Sequence, residues 1–232
     1  ADRATRDLVA FLARTLRSGR VTLAASYRSD ELPRRHPLRP LLAELVRLPT
    51  VRRLELAPFT RAEMAEHLEA IAGAPLPADQ MEGIYARSEG NPFYAEQLLA
   101  AGVGDPQVEL PGTLAELLLT RVQGLSEPAQ QVLRVAAVAG RRVPHRLLAE
   151  VSGQPEGELE RGLHEAINVG VLTSDAATGS YAFRHALLQE AVYGDLLPGE
   201  QVRLHTAYAR LLADADGAAA ELAHHCLASH DL

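Results

Sequence analysis

The chain has 232 residues, 47% of them hydrophobic, and a formal net charge of −7. Aromatic residues make up only 4% and tryptophan is absent, so Leu and Ala do most of the packing, which favours helices. The acidic balance argues against broad electrostatic attachment to nucleic acid. The single cysteine, Cys226, excludes an intrachain disulfide, and no apolar run is long enough to span a membrane, so a cytoplasmic protein is expected.

The first residues, Ala1-Asp2-Arg3-Ala4-Thr5-Arg6-Asp7, are polar, begin without Met and lack the apolar segment of a signal peptide, which reads as a cut inside a longer protein. Leu8, Phe11, Leu12 and Leu16 then recur at helical spacing up to Gly19. Val21 to Ser26 predicts a buried strand, Leu41, Leu42, Leu45 and Val46 a short amphipathic helix, and Arg53-Leu54-Glu55-Leu56 a second, alternating strand. Helix, strand, helix, strand is the order expected at the end of a parallel α/β sheet, and assigns 1–57 to such a remnant.

From Phe59 the pattern turns helical. Thr60 and Glu63 form a capping box ahead of a stripe of Met64, Leu68 and Ile71, closed by Gly73. A second helix spans about Ala78 to Glu89. Gly90 suits a left-handed closing position, Asn91 caps the next helix, and Pro92 fits its first turn, with Phe93, Leu98 and Leu99 directed at a core. These helices, 58–104, read as one small module, with Gly102 to Gly112 as a linker. Thr113 and Glu116 predict another capping box before Leu114, Leu117, Leu118 and Val122. Ser126, Pro144 and Pro155 each open a helix, and Val171-Leu172-Thr173 and Tyr181-Ala182-Phe183 flank a turn at Thr178-Gly179. With a closing helix from His185 to Leu196, residues 105–196 have the outline of a winged helix. Two further helical patterns, about Glu200–Ala213 and Gly217–Ser229, pair Tyr208, Leu211 and Leu212 with Leu222, Ala223 and Cys226, and make 197–232 the start of an α-solenoid. The fold class expected is therefore mostly α with a small α/β remnant.

Three places carry candidate chemistry. Arg28 lies just past the predicted strand, where ligands of open α/β sheets bind, and its guanidinium can meet a phosphate bidentately; on position alone, a loop pairing with Asp30 or Glu31 is the simpler reading. Gly90, Asn91 and Pro92 form a tight corner; Pro92 lacks an N–H, so its ring can lie flat on a planar ligand, although a well-capped helix junction explains the same residues. His185 starts a helix, where it can donate to a phosphate oxygen or simply act as a cap. The chain contains no lysine, so a phosphate-gripping P-loop is impossible within it.

The order and spacing of these residues resemble one family, the STAND-class signal-transduction ATPases, and among them the large, MalT-like ATP-binding regulators of the LuxR type. Ala1-Asp2 matches the end of the segment following Walker B, Tyr27-Arg28 the sensor-1 position, and Gly90-Asn91-Pro92 the Gly-x-Pro element of the helical lid. Phe183-Arg184-His185-Ala186-Leu187-Leu188 resembles the Met-His-Asp motif of the winged helix, with Ala186 standing where many relatives carry Asp. The resemblance implies the C-terminal part of a P-loop NTPase sheet, a helical lid, a winged helix and the first TPR-like repeats. It further implies ATP or ADP with Mg2+ bound together with a P-loop half outside this chain, contacts from Arg28, Pro92 and His185, and self-association in the active state. DNA would be bound only through a C-terminal helix-turn-helix outside the chain. The parent would be a slow ATPase switch, and this portion alone not catalytic.

Two rival readings stand beside it. A winged helix that binds DNA directly is opposed by Glu156, Glu158, Glu160 and Glu165 on the candidate recognition helix, against one Arg161. A protein-interaction scaffold without a nucleotide fits the acidic Leu/Ala-rich helices. Cys226 and His230 lie one helical turn apart with His224 and His225 alongside, but two same-face ligands fall short of a closed zinc site, and no metal is expected.

Overall fold

The computed structural model describes residues 2–16, 20–27, 32, 36–102, 109–213 and 219–229. It is mostly helical with one small sheet, and divides into two compact units, 1–57 and 58–232. No helix among the described residues is long and apolar enough to cross a membrane.

The first unit contains α1 (Arg3–Thr15), capped by the Asp2 carboxylate, and α2 (Leu38–Leu45). Arg14 pairs with Glu44 across the two helices. Residues 21–26 and 53–56 are not the predicted strands. They form no ladder among the described residues, and Leu54 and Leu56 are almost fully exposed. A strand's amides and carbonyls need a neighbouring strand to pair with, and alternation alone cannot supply one. Gly19 and Arg28 lie outside the described residues.

The second unit begins with α3 (Arg61–Ala72), α4 (Ala78–Ser88) and α5 (Pro92–Ala100). The Thr60–Glu63 capping box forms in full, with the Glu63 carboxylate accepting from the Thr60 amide at 2.8 Å, and Gly73 closes α3 at φ 75°. Met64 and Leu68 are buried, whereas Ile71 is exposed; in α5 the core position belongs to Tyr94 rather than to the exposed Phe93. One residue of helix register is a 100° rotation, enough to exchange such neighbours.

Next come α6 (Gly112–Gln123), α7 (Glu127–Val138), β1 (Arg142–Pro144), α8 (His145–Ser152), α9 (Glu156–Asn168), β2 (Leu172–Asp175), β3 (Ser180–Phe183) and α10 (Ala186–Gly194). The Thr113–Glu116 box does not form. Helix α6 starts two residues earlier, with Pro111 as its cap and the Pro111 carbonyl accepting from Leu114 and Ala115, so Thr113 already lies inside the helix. Leu114, Leu118 and Val122 are buried there, while Leu117 faces out. Strand β3 lies between β1 and β2, antiparallel to both. The two-stranded turn was readable, but β1, three residues long, has no pattern that periodicity detects.

Helix α7 is the most enclosed element: Val132, Leu133, Val135 and Ala136 are at most 1% exposed. It packs closely on α9 because Gly162 lacks a side chain; a Cβ there would lie 3.0 Å from the Pro128 carbonyl oxygen. The two helices are also joined at their ends, where the Ser126 hydroxyl and amide both donate to Glu165 and hold its carboxyl below the usual range. The last carbonyls of a helix lack internal partners. In α7, Gln189 of α10 donates to the Ala137 carbonyl at 2.7 Å, and the Tyr208 hydroxyl donates to that of Val135 at 3.0 Å.

Tyr208 lies on α11 (Pro198–Leu212), which pairs with α12 (Ala219–Ala228). The pairing centres on His225, whose ring stacks on Tyr208 at 5.0 Å, rather than on Leu222, Ala223 and Cys226; Ala223 is exposed. Tyr208→Phe keeps this ring but removes the cap on α7. It should cost about 1–2 kcal/mol in denaturant unfolding, and an unchanged midpoint would show that the Val135 carbonyl needs no such partner.

Candidate functional site

The corner between α4 and α5 is made by two consecutive left-handed residues. Glu89 closes α4 at φ 53° and Gly90 follows at φ 77°. Asn91 then caps α5, its side-chain oxygen accepting from the Phe93 amide at 3.1 Å, and Pro92 occupies the first helical turn. The corner is pinned from below, because the Phe59 amide donates to the Gly90 carbonyl at 2.8 Å. A Cβ on Gly90 would come within 2.5 Å of the Phe59 carbonyl oxygen, so both the backbone angle and the close approach require glycine.

Glu89 is the only described residue other than glycine with a positive φ. That conformation costs a side-chain-bearing residue about 1–2 kcal/mol, and glycine would fill it without strain. The contacts of the Glu89 carboxylate help hold the strained residue in place. One oxygen pairs with Arg141, at the foot of β1, and the other lies 3.5 Å from His185 Nδ1.

His185 is the cap residue of α10, in extended backbone conformation (φ −130°, ψ 137°) directly after β3. Its half-buried ring stands edge-on to Tyr94, with centroids 5.7 Å apart. Tyr94 lies two residues past Pro92, and Glu89 one residue before Gly90. The structure thus brings His185 and Gly90-Asn91-Pro92 together, and Glu89 and Tyr94 form the contact between them. Sequence reasoning missed both intermediaries. A clue was present in Glu89, an acidic residue where a helix end favours glycine.

Below this corner, Arg87 of α4 is 4% exposed and donates to Glu190 of α10 at 2.6 and 3.2 Å. Breaking a buried pair is costly because one charge is left uncompensated, so this contact fixes α10 against α4. Arg141, Arg142 and Arg184 line a surface cleft of about 410 Å3, together with Thr173, Ala182 and Phe183. Arg142 is held by Asp175 at 3.1 Å, and Arg184 Nε donates to the Gly170 carbonyl at 2.9 Å. With Arg141 paired to Glu89, each of the three guanidiniums has a partner within the protein.

Arg28, the remaining sequence candidate, lies outside the described residues. In the first unit a larger and mainly apolar cleft, about 560 Å3, is lined by Val9, Ala13, Val21, Leu42, Val46 and Leu54 among others.

Gly90→Ala should destabilise the chain clearly more than Gly73→Ala. The two glycines have nearly equal φ, 77° and 75°, but a Cβ at Gly73 meets nothing within 4 Å. Gly73→Ala should therefore cost about 1 kcal/mol of backbone strain, and Gly90→Ala about 2 kcal/mol or more. Equal losses in chemical unfolding would refute the close contact with Phe59. Comparison with known proteins matches the chain to no family model and to no curated relative.

Proposed function

We propose that the chain is the lid and winged-helix portion of an ATP/ADP-dependent signalling switch in a bacterial transcriptional regulator of the STAND class, completed by a P-loop half outside it. The observation that carries this reading is the seat of His185 against the Glu89–Tyr94 corner, one residue before and two residues after the Gly90-Asn91-Pro92 turn. A proline face, a helix-start histidine and a cleft lined by three arginines suit the base, the phosphate oxygens and the charge of a purine diphosphate.

The element order from α7 to β3, with β3 between β1 and β2, favours a winged helix for this part of the chain. Helices α3 to α5 take the role of the lid, and the α11–α12 pair that of a first TPR-like repeat. The acid facing His185 comes from Glu89 of the lid, whereas position 186 is alanine. In this reading ADP completes the contact between His185 and the lid corner, and exchange for ATP releases it. The ligand shifts the equilibrium only by its differential affinity for the two states. The freed surfaces then self-associate, and a helix-turn-helix outside the chain binds DNA. Direct DNA binding by α9 is disfavoured, because Glu156 and Glu160 are exposed on it and repel phosphates.

The test is nucleotide titration of the parent protein and its His185→Ala variant. A hydrogen bond to a charged phosphate contributes about 1.5–3 kcal/mol, so ADP affinity should fall by about tenfold or more, and ATP affinity should fall less. Equal ADP affinity in the two proteins would reject the contact.

A further inference from the structure

Helices α11 and α12 bring three histidines together. One ring nitrogen each of His205, His224 and His225 lies within 4.8 Å of the others. His205 is fully buried and His225 nearly so, and their Nδ1 atoms are 2.7 Å apart. A packed, hydrogen-bonded pair accounts for these two. It does not account for His224, which is exposed yet has its ring against both others, at centroid distances of 5.5 Å from His205 and 5.3 Å from His225. Consecutive residues on a helix do not normally face one target, but here both turn toward His205.

We propose that His205, His224 and His225 bind one divalent zinc ion between α11 and α12. Neutral imidazoles are borderline ligands that suit Zn2+ and offer nothing to Mg2+ or Ca2+, which take oxygen. Zn–N bonds of about 2.0–2.1 Å in a tetrahedron place ligand nitrogens roughly 3.3 Å apart. The present spacing, from 2.7 Å between the two Nδ1 atoms to no more than 4.8 Å across the trio, brackets that value. For both Nδ1 atoms to ligate, the proton between them moves to Nε2 of the ring that carried it, so both imidazoles stay neutral, and side-chain shifts of about an ångström complete the site. Ligating histidines are usually oriented by a hydrogen bond at the other ring nitrogen. His205 has one: its Nε2 lies 3.0 Å from the hydroxyl of Tyr193 on α10. The exposed side of His224 leaves the fourth position to water. So placed, zinc crosslinks the last two helices and, through Tyr193, ties them to α10.

The experiment is isothermal titration of the tag-free chain, purified in chelator, with ZnCl2, MgCl2 and CoCl2 in parallel. One Zn2+ should bind per chain, Mg2+ should not bind, and Co2+ should develop the visible absorption of a tetrahedral site. His224→Ala removes an exposed ligand and leaves the buried pair in place, so its melting temperature in chelator should match the wild type. Its zinc affinity should fall on the order of tenfold or more, and Tyr193→Phe, which keeps the ring, should weaken binding by about 10–100-fold. Zinc should raise the melting temperature of the wild type more than that of either variant. Absence of stoichiometric binding, or binding unchanged in His224→Ala, would overturn the site.

Discussion

Burial of α10 is the constraint on which the second unit depends. Leu187, Leu188, Ala191 and Val192 are at most 3% exposed, and the helix packs against α4, α6, α7 and β3 at once. Its polar groups are committed as well. Glu190 meets the buried Arg87 of α4, Gln189 caps α7, and Tyr193 reaches His205 of α11. A helix enclosed on so many sides cannot rotate or slide without vacating several sites together, because packed interiors do not deform continuously. The position of His185 at its start is therefore a consequence of the whole core.

That rigidity gives the corner at Glu89 its meaning. A strained residue persists only where surrounding structure over-determines it, and here the pairing with Arg141, the approach to His185 and the Phe59–Gly90 hydrogen bond do so. The corner meets the start of α10 at a polar contact, above the buried Arg87–Glu190 pair that joins α4 to α10. The proposed switch therefore acts on the polar groups of the corner, while the buried Arg87–Glu190 pair keeps α10 against α4.

Local chemistry was legible in the sequence. The Thr60–Glu63 box, the Asn91 cap with Pro92 behind it, the helices opened by Pro144 and Pro155 and the turn at Gly179 depend on neighbours within a few residues, and all form. Expectations that depended on distant partners fared worse. Val21 to Ser26 and Arg53 to Leu56 have strand-like patterns but no ladder among the described residues. Thr113 lost its capping role because Pro111, two residues earlier, starts the helix first. Glu89, Tyr94 and His205 matter through contacts with residues that are 96, 91 and 20 positions away, with His185 for the first two and His225 for the last. Periodicity cannot see such pairs, whereas the Gly90-Asn91-Pro92 and His185 positions were visible because turn and helix-start chemistry marks them locally.

The most direct measurement is hydrogen exchange on the parent protein with ADP and then with ATP. If His185 and the Glu89–Tyr94 corner act as one contact, amides of residues 89–94 and 185–188 gain protection together in ADP and lose it together in ATP. Protection that changes in one segment while the other stays constant would contradict the proposed coupling of the 89–94 corner to α10 through His185.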